Sequence, residues 1–366
     1  MAQQGRPSLV RPVAQALEAA GHTLLAPTEF RSDGAEGDRR RQNALERKGA
    51  ANARRLVAAY RDLPFAVRPE AWLTCHLHPG APDLIGPAVA DTLAIPYLLV
   101  GASCPRGDAG AAQGGWATLA ARAIAHARAV LSLTAEDEES VRPLVAHPAR
   151  LHRLAPFLDS APWRAAGRDE SRRALAATLP LDPARPWLLA EAPMQAGAAL
   201  ASWRLLGRAL ALVAAPPWQL LAVGDGEARA PVEEALRPLG PGRAVLVGER
   251  ADETLPEVYA ACDTYVWPAY DEALPMALLQ AGAAGLPAVA QDWPGARALV
   301  VDGETGLLTP RHDDVAFAGA VVELSADAER RRAMGEAAAA RVHERHGIES
   351  AAATLDCALD AAVGAA

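Results

Sequence analysis

Lysine is almost missing from this chain: Lys48 is the only one, and the other 35 of the 36 basic residues are arginines (36 − 1). Any fixed clamp for phosphate must therefore use guanidinium or backbone N–H groups. Aromatic residues are also scarce, at 5% against 51% apolar overall, so Ala, Leu and Val must fill the interior. That suits helices laid on sheets and argues against an aromatic-rich β-sandwich. No apolar run of 18 or more residues occurs, and the first residues, MAQQGRPSLVRP, hold no apolar stretch of a secretory signal. We expect a soluble, cytoplasmic protein, with peripheral contact at the inner face of a membrane left open. Cys75, Cys104, Cys262 and Cys357 show no CxxC spacing and read as reduced core thiols, ahead of zinc ligands or disulfides. A net charge of −8 with no basic tail argues against a general nucleic-acid binder.

What is present is alternation. The 366 residues are enough for two domains of ordinary size. Residues 8–20 read as a helix ending at Gly21, 22–27 as a short strand, and a long Ala/Arg/Leu helix runs to about Asp62. The run DRRRQNALERK at 38–48 reads as its solvated face. Strands follow at 71–78 and 95–103 with a helix at 86–94 between them, then a Gly-rich loop, a helix to about Arg128 and a further βα unit. From Leu151 to Arg185 the pattern loosens around Pro156, Pro162, Pro180, Pro183 and Pro186, as in a linker. Strand and helix then alternate again from Trp187 onward. The expected class is α/β with two Rossmann-like domains facing a cleft. The boundaries expected are residues 1–160 and 186–345 with a linker at 161–185, and a closing helix at 346–366 that crosses back to the first domain.

The most informative stretch is Tyr270 to Asp302. It sets Glu272 in a Pro-containing loop, then a small-residue helix from about Pro275 to Ala284, a Gly-Leu-Pro turn and a short apolar strand at 288–290. A carboxylate at the mouth of such a helix is well placed to grip a sugar whose phosphates sit on the helix N-terminus. The stretch resembles the donor-sugar motif of family 4 glycosyltransferases of the GT-B fold, a Glu, seven residues, then a second Glu, with Gln280 at the second position. Further matches are GDG at 224–226, Gly248 at a strand end, Leu255, Tyr259 and Asp263 ahead of a strand ending at Pro268, and GETGLLTPRHDD at 303–314.

The resemblance implies a retaining transfer of a hexose from a nucleotide sugar to an unidentified acceptor, a glycan, a lipid-linked molecule or a small molecule. Neither metal nor cofactor is implied. Glu272 would bond the donor sugar, backbone N–H groups around Ala273, Leu274, Pro275 and Met276 would meet the phosphates, and Gln280 would hold the ribose diol. Gly224 would shape a strand-end turn, and Glu249 and Arg250 would border the base. On the acceptor side, His76 and His78 end a strand, and His78 is the candidate base. Each has a plainer alternative: Glu272 favoured by the helix dipole, Gln280 in a structural hydrogen bond, and the histidines as satisfied strand-end residues.

Three departures from the family pattern stand out. Gln280 offers one accepting oxygen where a carboxylate offers two. Pro186 to Trp203 holds no basic residue, although the family has an Arg and a Lys in that loop, and Arg204 and Arg208 lie in the helix beyond it. Only about seven residues precede the first helix, where the family opens with a strand and a Gly-rich loop, so we expect a truncated or misassigned start. These departures sustain an alternative, a degenerate GT-B protein acting as a binding or partner subunit. A sugar-nucleotide epimerase fits less well.

Overall fold

A computed structural model describes residues 9–25, 30–33, 35, 37–104, 114–269 and 275–364. The chain divides into two compact units, Met1–Ala155 with Ile348–Ala366, and Pro156–Gly347. In the first unit the order is α1 (Val10–Ala19), α2 (Arg39–Arg61), β1 (Trp72–Cys75), α3 (Gly86–Leu93), β2 (Tyr97–Val100), α4 (Gly114–His126), β3 (Ala129–Ser132), α5 (Ala135–Val141) and β4 (Leu151–Arg153). The second unit holds α6 (Ala161–Ala165), α7 (Arg168–Thr178), β5 (Trp187–Glu191), α8 (Ala198–Ala211), β6 (Gln219–Val223), α9 (Arg229–Leu236), β7 (Ala244–Leu246) and α10 (Leu255–Ala260). It continues with β8 (Thr264–Trp267), α11 (Met276–Ala283), β9 (Ala288–Gln291), α12 (Pro294–Leu299), β10 (Gly306–Thr309), α13 (Asp314–Ala326) and α14 (Ala328–His346). The last helix, α15 (Ile348–Gly364), returns to the first unit and packs on α1 and β3.

Each unit is built on a parallel sheet, β1-β2-β3-β4 in the first and β10-β9-β8-β5-β6-β7 in the second. The central strands are apolar without alternation (WLLAE, QLLAV, TYVW, AVAQ) because helices cover both faces of the sheet. Helix starts carry the expected chemistry. Asp38, Thr134, Asp313 and Asp327 each accept a backbone N–H from the first turn of α2, α5, α13 and α14. In the second unit Asp263 ties α7 to the sheet. It accepts from Arg168 at 2.6 Å, from Arg172 at 2.9 Å and from the Trp187 N–H at 2.8 Å, while the Arg172 guanidinium lies 4.1 Å from the Trp187 ring centroid.

The structure differs from the sequence reading in several places. Residues 22–25 form no strand; Leu24 and Leu25 are exposed, and a short segment without a neighbouring strand among the described residues stays coil. The remainder of that expected strand, residues 26–27, lies outside the described residues. Strand β1 ends at Cys75, three residues earlier than read, because His76 takes a left-handed conformation at φ +58°. Residues 161–185, read as a connection, hold α6 and α7, and both belong to the second unit. All four cysteines are free thiols; burial pushes Cys75 up to about 12 and raises Cys262 further, while Cys357 is exposed on α15 rather than in a core. No helix among the described residues is long and apolar enough to cross a membrane.

Candidate functional site

In the second unit the chain runs from β5 outward to β6 and β7, then crosses back to β8 on the other side of β5. Connections therefore diverge between β5 and β8. In an open parallel sheet that divergence leaves a crevice beyond the C-terminal strand ends, where ligands bind. Around it stand Glu191 at the end of β5, the turns after β6 and β7, Pro268 and Ala269 after β8, and the start of α11.

Three strand-end loops are bonded into one platform. The Met194 N–H donates to Asp225 O at 2.9 Å, Ala228 N–H to Met194 O at 2.8 Å, and Gly224 N–H to Gly248 O at 3.0 Å. Only glycine fits at 224: φ is +137° and a Cβ would lie 2.0 Å from Ala192 O. Asp225 does not cap α9. Its carboxylate accepts from the Gly226 N–H at 2.8 Å and from Arg229 at 3.2 Å.

The buried polar centre of this rim is a carboxylate, a phenol and an amide. Tyr259, fully buried on α10, donates its hydroxyl to Glu191 Oε2 and lies 3.4 Å from Gln280 Oε1 on α11. A phenol has one proton, so the short contact to the carboxylate takes it and the amide is left at the long end. Tyr265 on β8 donates to the Glu191 carbonyl at 3.3 Å, and Trp163 meets the Tyr259 ring edge-on at 5.1 Å. Burial raises the Glu191 carboxyl above its ordinary value; the Tyr259 hydrogen bond opposes that and the charge of Asp252 adds to it. Burial, then the charge of Glu191, hold the Tyr259 phenol far above its ordinary value, so it remains a protonated donor.

The residues anticipated from the sequence fall as follows. Gly224, Pro275, Met276 and Gln280 all lie at the strand-end side of the second unit, Pro275 buried and Met276 at the first turn of α11. Glu249 and Arg250 are exposed just after Gly248. Glu272, Ala273 and Leu274 lie outside the described residues. In the first unit, His76 Nε2 accepts the Leu9 N–H at 3.3 Å and His78 Nδ1 accepts the Gly80 N–H at 3.2 Å. Because β1 stops at Cys75, no pleat aligns the two histidines on one face. Arg208 is bonded to Asp314 on α13 at 2.8 Å, so it is already engaged. Two further residues belong to this rim. Glu191 is signalled by a lone carboxylate closing an otherwise apolar strand, and Arg229 by a cation one turn after the GDG run.

The family model described as "Glycosyl transferases group 1" matches residues 203–341, which contain β6 to β10 and α11. Over that segment the chain is similar to the group 1 glycosyl transferases. It is 31% identical over 213 residues to a D-inositol 3-phosphate glycosyltransferase of Rhodococcus erythropolis, covering 55% of this chain and 46% of that protein. The chain spans less than half the length of such curated relatives. Among solved structures, sucrose-phosphate synthase from Thermosynechococcus elongatus superposes with a TM-score of 0.67 at 20% identity, covering 98% of this chain and 93% of that one. HepE of Anabaena, in complex with UDP-glucose, superposes with a TM-score of 0.66 at 16% identity, covering 98% of both chains. At such identities the likeness shows the GT-B fold. The matched segment therefore lies on the rim that carries Gln280, with Glu191 just ahead of it in sequence.

Proposed function

We propose that this protein is a retaining hexosyltransferase of family 4, moving a sugar from a nucleotide-sugar donor held on the rim of its second unit. The observation that carries the proposal is the divergence of connections between β5 and β8, with Glu191, Tyr259 and Gln280 converging at it. HepE, a structural neighbour, was solved with UDP-glucose, which supports a donor of that class.

When the donor reacts, negative charge develops on the departing diphosphate, and donors already aimed at it lower the barrier most. The amides of the first turn of α11, at Met276 and Ala277, are such donors, since among the described residues no side chain caps that helix N-terminus. Arg250, exposed after the turn that follows β7, supplies a cation that the loop after β5 lacks, while Arg229 is engaged by Asp225 at 3.2 Å and Glu233 at 3.0 Å. Glu272 bonds the hydroxyls of the transferred sugar. Glu191 and Gln280 share the ribose, a carboxylate accepting one hydroxyl and an amide meeting the other. No metal takes part in this proposal.

A second reading, a sugar-nucleotide-binding subunit without turnover, is favoured by one feature. Residues 192–197 contain no cation, and Arg208 is held by Asp314. Calorimetric titration separates sugar from nucleotide contacts. For whichever of UDP-, GDP- or ADP-glucose binds, Glu272→Ala should weaken the nucleotide sugar by about tenfold or more and leave the bare nucleoside diphosphate unchanged. Equal weakening of both would remove Glu272 from the sugar site. Binding without product formation, with glycan and lipid-linked acceptors supplied, would leave the subunit reading standing.

A further inference from the structure

A concentrated charge feature lies in the first unit, on α2. Its 23 residues carry eight basic side chains and one acid, a net of +7 (8 − 1). The whole chain carries −8, so everything else sums to −15 (−8 − 7). All eight cations are exposed. The recorded side-chain bonds of Arg55 and Arg61 are to neutral groups, the Asn52 amide and the Thr92 carbonyl, and among the described residues no carboxylate pairs with the eight. The one acid, Glu46, accepts from the Trp116 indole at 3.1 Å.

Their spacing is regular. Arg40, Arg47, Arg54 and Arg61 recur every seven residues and form one stripe along the helix. Arg41, Lys48 and Arg55 form a second stripe beside it with the same period. The face that packs on the first unit, Gly49, Ala53, Leu56, Val57 and Tyr60, lies on the opposite side of the helix. The cations thus form a band about 35 Å long pointing straight into solvent. At the C-terminal end of α2 comes a short apolar turn in which Phe65 is 88% and Val67 53% exposed. It is tied to the helix end, because Arg68 donates to the carbonyls of Leu63 at 3.0 Å and Arg61 at 2.7 Å.

We propose that α2 and the Phe65–Val67 turn form a docking surface for an anionic lipid bilayer. A flat negative surface complements a straight, unpaired cationic band, and it gives the exposed Phe65 ring somewhere apolar to go. The −15 carried by the rest of the chain repels a long polyanion that wraps, which disfavours a nucleic acid. This docking does not depend on sugar transfer.

The test is flotation of the full chain with vesicles of phosphatidylcholine containing about 30% phosphatidylglycerol, at low and high salt. The protein should float with these vesicles, stay behind with pure phosphatidylcholine, and be released by salt. Combined Arg40→Gln, Arg47→Gln and Arg54→Gln should lower the partition by roughly a hundredfold without moving Tm, since all three side chains are exposed. Phe65→Ser should lower it less and keep the salt dependence. No flotation at low salt, a triple variant that floats like the wild type, or tighter binding to duplex DNA than to the vesicles would overturn the proposal.

Discussion

Glu191 closes the apolar strand β5 with a carboxylate whose visible support is one phenolic hydrogen bond. Folding raises this carboxyl, so between its unfolded and folded values the native state holds a proton that the unfolded chain has released. Stability conferred at this group is therefore lost as pH rises from the unfolded value through the raised folded one. Glu191→Gln should remove that slope: its Tm should match the wild type at acid pH and exceed it at alkaline pH. The same variant should weaken nucleotide binding by about tenfold or more, and adding Gln280→Glu should restore part of it. A Tm that falls at every pH, with nucleotide affinity untouched, would make Glu191 structural. The sequence made Gln280 conspicuous through the motif around it, whereas Glu191 stayed hidden. Its importance comes from Tyr259, 68 residues later, reaching back across the sheet, and no local pattern encodes that.

Elements were legible where one rule decided them. The buried strands β5, β6, β8 and β9 and the helices between them follow from apolar runs and turn residues, and α11 follows from its small residues after Pro275. Local rules failed where a backbone angle or a missing partner intervened, as at His76, which stops β1 early, and at residues 22–25. The strand-end platform is the element with least tolerance. Gly224→Ala would force a Cβ against Ala192 O from a left-handed backbone, and should cost about 2 kcal/mol or more by chemical denaturation. Nucleotide affinity should fall with it. A variant of unchanged stability would show that the loops after β5 and β6 separate freely.

At the scale of the molecule, the two-unit α/β plan was readable from alternation alone, and the return of α15 to the first unit from the Arg-Ala helices at the C-terminus. The chemistry was less so, because a strand order with its reversal between β5 and β8 is a property of the sheet and not of any segment. The charge plan was similarly masked: a total of −8 conceals a helix at +7. What unites the donor-side residues is the crevice at that reversal. It is tested most directly by calorimetric titration of the full chain with UDP-glucose, GDP-glucose and ADP-glucose in turn. One of the three should bind with a dissociation constant of about micromolar order, and Glu191→Gln should weaken it. Absence of heat and of any thermal shift with all three would contradict a nucleotide-sugar site on the second unit.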